Sequence, residues 1–202
     1  MDNKEIIEFN DLLRKRVEGK GDASFIDKEI AQRFEKEYTV MVSDLSSFSK
    51  LTHEVGIIHS LGLIAKAHEI AEPILRTLGG EVLRADPESL VVLFRRPMDA
   101  VMAARAVNRA FEEHNSGVSE DHKLSICLGI GHGKMLRAGG CVYGDQVNQA
   151  YRLGEDVFGK CEVRLTPEAY EKVAHLESLQ FRESGSVQIG GLTLKAYELI
   201  FT

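Results

Sequence analysis

The sequence predicts an α+β sandwich, a mostly antiparallel sheet with helices on one face. Short β-branched runs, YTVMVSD at 38–44 and SLVVLF at 89–94, alternate with longer stretches whose apolar residues recur at helical spacing. Their order is β, α, β, β, α, β with trailing elements. Two of the strands, EVLRA and SLVVLF, are separated only by DPE, a length that demands a tight hairpin.

Taken in order, residues 3–17 space Ile6, Ile7, Phe9, Leu12, Leu13 and Val17 as one helical stripe, and GKGDAS at 19–24 breaks it. Asp27 is the expected cap of a second helix through about Glu35. A strand then ends abruptly on Asp44. From 46 to 78 the helical spacing returns, with Gly56 and Pro73 as expected breaks and Gly79–Gly80 as its close. After the hairpin, 98–114 reads as an alanine-rich helix, KLSICLGIG as a strand, and DQVNQAYRLGEDVF, beyond a glycine-rich loop, as a helix. The tail predicts a strand around CEVRL, a short helix capped by Thr166 with Pro167 in its first turn, and a final hairpin through VQIGGLTLKAYELI.

At 202 residues this is one domain with a small appendage, 1–36 as an N-terminal helical extension and 37–202 as the main domain. A net charge of −6 gives no electrostatic case for nucleic acid. The charged N-terminus and the lack of a long apolar run predict a protein without membrane association, placed in the cytoplasm. Three cysteines, Cys127, Cys141 and Cys161, form no CxxC pair and read as reduced thiols. Seven histidines form no HxH or HExxH arrangement and read as surface or helix-packing residues. GIGHG at 129–133 lacks the GxGxxG spacing of a dinucleotide loop.

Three stretches go further: VSDLSSFS at the first strand end, LRADPESLVVLF at the hairpin, and CVYGDQVNQAYRL leading into a helix. Together they resemble the catalytic domain of class III nucleotide cyclases, over roughly residues 37–200. The most specific match is Gly144, Val147, Asn148, Ala150, Arg152 and Leu153, a glycine and then V-N-x-A-x-R-L. The resemblance implies a ferredoxin-like core. It also implies conversion of a nucleoside triphosphate to a 3',5'-cyclic nucleotide and pyrophosphate, with two Mg2+ or Mn2+ ions per site at a homodimer interface. By that resemblance Asp44, the Leu45 carbonyl and Glu88 hold metal, Asp86 is the alternative acid, and Asn148 and Arg152 act on ribose and phosphate.

The resemblance places base recognition at Arg84 and Cys141. Arg84 keeps the cation usual for adenine, Cys141 is the residue expected for guanine, and a pyrimidine nucleotide stays open, with ATP favoured. Departures from the pattern at positions 84, 87, 88 and 190 support an alternative, a cyclase-fold module that has lost catalysis and binds a nucleotide or a protein. Pro87 stands where the family has glycine, Glu88 is one methylene longer than the usual Asp, and Gly190–Gly191 replaces a Lys-Gly pair. Lys195, Arg137, Lys134 and Arg95 are the other cations available for phosphate.

Overall fold

The computed structural model describes residues 3–44, 52–53, 56–85, 89–154, 162–189 and 192–201. Helices α1 (Asn3–Val17) and α2 (Ala23–Phe34) precede β1 (Glu35–Asp44). Then come α3 (Ile57–Thr77), β2 (Glu81–Ala85), β3 (Leu90–Phe94) and α4 (Pro97–Asn115). A 3-10 turn (Glu120–His122) leads to β4 (Cys127–Ala138), β5 (Cys141–Tyr143) and α5 (Asp145–Gly154). The chain closes with β6 (Val163–Leu165), α6 (Pro167–Glu171), β7 (Gln180–Ile189) and β8 (Leu192–Ile200). The sheet has eight strands in the order β2-β3-β1-β4-β6-β8-β7, with β5 paired to β4. Among the described residues only β4–β6 is a parallel pair.

Strand alternation divides the core. Met41, Val92, Phe94, Leu128 and Ile130 meet the alanine-rich inner faces of α3 and α4 on one side of the sheet. Val40, Val42, Val91, Leu93 and Met135 face the other side, where Val147 and Ala150 of α5 cover them. The expected α+β architecture with a mostly antiparallel sheet is thus observed, but the helices are not confined to one face, because α5 covers the face opposite α3 and α4. A third cluster joins α1 and α2 to the β4–β5 hairpin: Phe9, Leu12, Ile26, Ile30 and Phe34 enclose Ala138, and Phe9 stacks on Tyr143 with ring centroids 5.7 Å apart.

Several local expectations are corrected. Helix α2 is capped by Asp22, whose carboxylate accepts from the Ser24 and Phe25 amides, and Asp27 lies inside the helix bonded to Arg16. Pro73 does not break α3. It lies on the exposed side, as does Glu69, so the carbonyl four residues back that loses its donor faces water. The strand expected to stop at Gly131 continues to Ala138, and β1 starts at Glu35 instead of Tyr38. These two additions are partners, Glu35 opposite Leu136 and Glu37 opposite Lys134. Each charged segment is a strand because the other one pairs with it, which neither segment's composition reveals. Likewise β7 starts at Gln180, seven residues before the expected Val187, with an irregularity in its pairing between Glu183 and Ser186. Among the described residues no helix is long and apolar enough to cross a membrane.

Candidate active site

Two parts of the sheet carry the residues singled out in the sequence. The first is the end of β1. Val42 lies opposite Val91, and the Ser43 hydroxyl accepts from the Leu90 amide at 2.8 Å, which pins the last turn of β1 to the first residue of β3. The expected second acid comes from the stretch that immediately precedes Leu90 in the sequence. Glu88 and Asp86 belong to that stretch but lie, with Leu45, outside the described residues, as do the side chains of Asp44 and Arg84. The expected donors, the carboxylates of Asp44 and Glu88 and the Leu45 carbonyl, are oxygen alone, a set that fits Mg2+ or Mn2+ by ligand type.

The second part is α5. Its inner face buries Val147, Ala150 and Leu153, and its outer face exposes Asn148 and Arg152, one turn apart on the same side. What holds the helix there is a track of glycines. In β4, Gly129 and Gly131 point toward α5, and a Cβ on Gly129 would lie 1.9 Å from the Ala150 carbonyl oxygen. At Gly131 it would lie 2.4 Å from the Gln146 carbonyl oxygen. GIGHG, which resembles no nucleotide loop, is thus a seat that brings a helix backbone against a strand backbone.

Gln146 fixes the first turn of the helix. Its buried Oε1 accepts from the Thr166 hydroxyl at 2.8 Å and the His132 amide at 3.1 Å, joining α5 to β4 and to the cap of α6. Nothing in the local pattern singles out Gln146, since a glutamine on an amphipathic helix ordinarily faces solvent. The alternation of glycines at 129, 131 and 133 was the one available signal for the seat.

Cys141 is on β5, exposed, opposite Ala138. The neighbouring Tyr143 phenol is pushed up from its ordinary range, mostly by burial and further by Cys141 beside it. Of the other cations, Lys134 pairs with Glu35 at 2.9 Å and Arg137 with Glu81, while Arg95 lines a cleft of ≈ 440 Å³ with Lys36, Tyr38 and Arg137. Lys134 and Arg95 sit toward the start of β1, at the other end of that strand from Asp44. Lys195 pairs with Glu183 at 3.4 Å.

No family model matches the sequence. A protein of Rhizobium meliloti (strain 1021) provisionally named adenylate cyclase 3 is 23% identical over 154 residues, 68% of this chain. The chain spans about a quarter, 26%, of that relative's length. Among solved structures, the adenylyl cyclase CyaB from P. aeruginosa superposes with a TM-score of 0.67 at 20% identity, covering 83% of this chain and 95% of that one. An adenylate/guanylate cyclase/hydrolase from Silicibacter pomeroyi gives 0.71 at 16% identity over 83% and 98%. The guanylyl cyclase Cya2 gives 0.67 at 17% over 82% and 92%.

Proposed function

Since the chain has the fold of the class III nucleotide cyclase catalytic domain, we propose that it converts a nucleoside triphosphate to a 3',5'-cyclic nucleotide and pyrophosphate. The observation that carries the reading is α5, seated on its glycine track with Asn148 and Arg152 exposed on one side. A polar pair held so firmly by a buried helix face is arranged to meet something outside the chain. In the proposed reaction the ribose 3'-oxygen forms a bond to the α-phosphorus as the bond to the leaving pyrophosphate breaks. Asn148 orients the ribose, and the Arg152 guanidinium stabilises the charge that grows on the phosphoryl oxygens.

Asp44, the Leu45 carbonyl and Glu88, with Asp86 as alternative, are the proposed ligands of two Mg2+ or Mn2+ ions. Bound metal supplies Lewis acidity toward the attacking hydroxyl and the triphosphate. The protein's own part at this edge is to hold the carboxylates together, which the Ser43 to Leu90 hydrogen bond favours. Two copies of the chain, each giving Asp44 to one site and Asn148 and Arg152 to the other, complete the proposed site. Arg84 and Cys141 read the base, with ATP favoured and GTP or a pyrimidine nucleotide the competing substrates.

The departures at Pro87, Glu88 and Gly190–Gly191 carry a second reading, a silent cyclase-fold module that binds a nucleotide or a protein. Incubation of the purified dimer with each of ATP, GTP, CTP and UTP, in Mg2+ and in Mn2+, separates the two by mass spectrometry of the products. A cyclic nucleotide from at least one combination, abolished in Asp44→Ala without loss of fold, is the expected result. No cyclic product from any combination leaves the second reading standing.

A further inference from the structure

Three side chains of metal-ligating type converge where α3 begins and where the chain approaches β4. His59 comes from the first turn of α3, and Asp121 and His122 from the 3-10 turn 62 residues further on. One ring nitrogen of each histidine and one carboxylate oxygen of Asp121 lie within 4.8 Å of one another. His122 Nδ1 is 3.2 Å from Asp121 Oδ1, and the His59 and His122 rings meet edge to face with centroids 4.8 Å apart. Edge-to-face imidazoles are common on surfaces. A carboxylate oxygen aimed at the same point, with the second imidazole delivered from a distant element, is not.

The surroundings orient these groups. His59 Nε2 lies 2.8 Å from the Asp121 carbonyl oxygen, and the Ser119 hydroxyl is 2.5 Å from the Asp121 carboxylate and 3.1 Å from His122 Nδ1. His114 Nε2, from the last turn of α4, is 3.4 Å from the His122 carbonyl oxygen. Hydrogen bonds of this kind around ligands set ring orientation and donor strength.

We propose that His59, Asp121 and His122 bind one divalent transition-metal ion, Zn2+ by ligand type, at a site that shares no residue with the Asp44 strand end. Two imidazoles and a carboxylate suit Zn2+, whereas Mg2+ and Ca2+ prefer oxygen alone. Bonds of about 2.0–2.1 Å in a tetrahedron put ligand atoms roughly 3.3 Å apart. The Asp121–His122 separation already has that length, and Asp121 and His122 are exposed enough to rotate and close the rest. The fourth position is left to water. Bound metal ties the first turn of α3 to the segment that leads into β4, whose first residue, Cys127, pairs with Asp44.

The test is calorimetric titration of Zn2+ into the purified, metal-free full chain lacking a polyhistidine tag, with excess Mg2+ present to fill oxygen-only sites. The expected result is one Zn2+ per chain, with affinity reduced roughly tenfold or more in each of His59→Ala, Asp121→Asn and His122→Ala. His175→Ala, Cys141→Ser and Asp44→Ala bind as the parent does, so this result is independent of whether the chain is a cyclase. Co2+ in place of Zn2+ should give the visible bands of a four-coordinate ion in the parent and not in His59→Ala. An absence of stoichiometric binding, or binding that survives in both His59→Ala and His122→Ala, overturns the proposal.

Discussion

At Gly129 the distance from sheet to helix is set by the absence of one carbon. A methyl group there would stand 1.9 Å from the Ala150 carbonyl oxygen, with backbone on both sides and no flexible side chain to yield. Gly129→Ala is therefore expected to lower stability by about 1–3 kcal/mol, seen as a fall in the denaturant midpoint, as α5 lifts from β4. On the proposed function it also lowers turnover more than substrate binding, because Asn148 and Arg152 ride on the displaced helix. Gln146 carries a different burden at the other end of α5. One oxygen accepts two hydrogen bonds from separate elements, and a shorter side chain would leave the Thr166 hydroxyl and the His132 amide to find new acceptors.

Helix α3 shows how an element absorbs unfavourable residues on its outer side. Pro73 is tolerated there, and His68, at the margin of the packed face, sits half-buried with Nε2 shielded from solvent and without a hydrogen-bond partner among the described residues. Burial holds the His68 imidazole below its ordinary pKa, and Glu72 one turn along only partly offsets this. The folded chain therefore keeps His68 neutral while the unfolded chain takes up a proton near pH 6.5, so its contribution to stability is intact above that pH and falls as the pH drops below it. His68→Leu should raise stability at pH 7 by roughly 1 kcal/mol and flatten its decline between about pH 7 and 5 in denaturation series. The strands teach the complementary lesson about legibility. β3, apolar throughout, was readable from composition, as were α1, α4 and the Thr166 cap of α6. The first residues of β1 and the last seven of β4 were not, because charged stretches such as Glu35–Glu37 become strands only when paired with one another. The proposed role of Asn148 and Arg152 rests on the family resemblance, but that they share one exposed side of α5 was readable from their spacing. Ser43, Gln146 and the meeting of His59 with His122 were not, since each depends on a partner 14 to 63 residues away that no local pattern predicts.

For the molecule as a whole, the proposed site divides its chemistry between copies, and that division can be tested without a structure of the dimer. Asp44→Ala and Arg152→Ala should each be inactive alone. Mixed and allowed to exchange subunits, they should recover activity, because one of the two sites in each mixed dimer has its acid from one copy and its arginine from the other intact. No recovery after verified exchange would mean that both residues act within one chain. The two N-terminal helices meet the rest of the molecule at the β4–β5 hairpin, through Phe9 on Tyr143 and through the Glu5 carboxylate, which accepts from the Gly139 amide at 3.0 Å. That hairpin runs directly into the turn at Gly144 from which α5 starts. The glycine seat then has a mechanical meaning. At Gly129 and Gly131 no side chain lies between helix and strand, so at these two points there is no compliant layer, and a displacement of β4 is expected to pass to α5 with little absorbed by rotamer changes. Strand and helix behave as a single stiff part, and whatever moves the hairpin moves Asn148 and Arg152 with it.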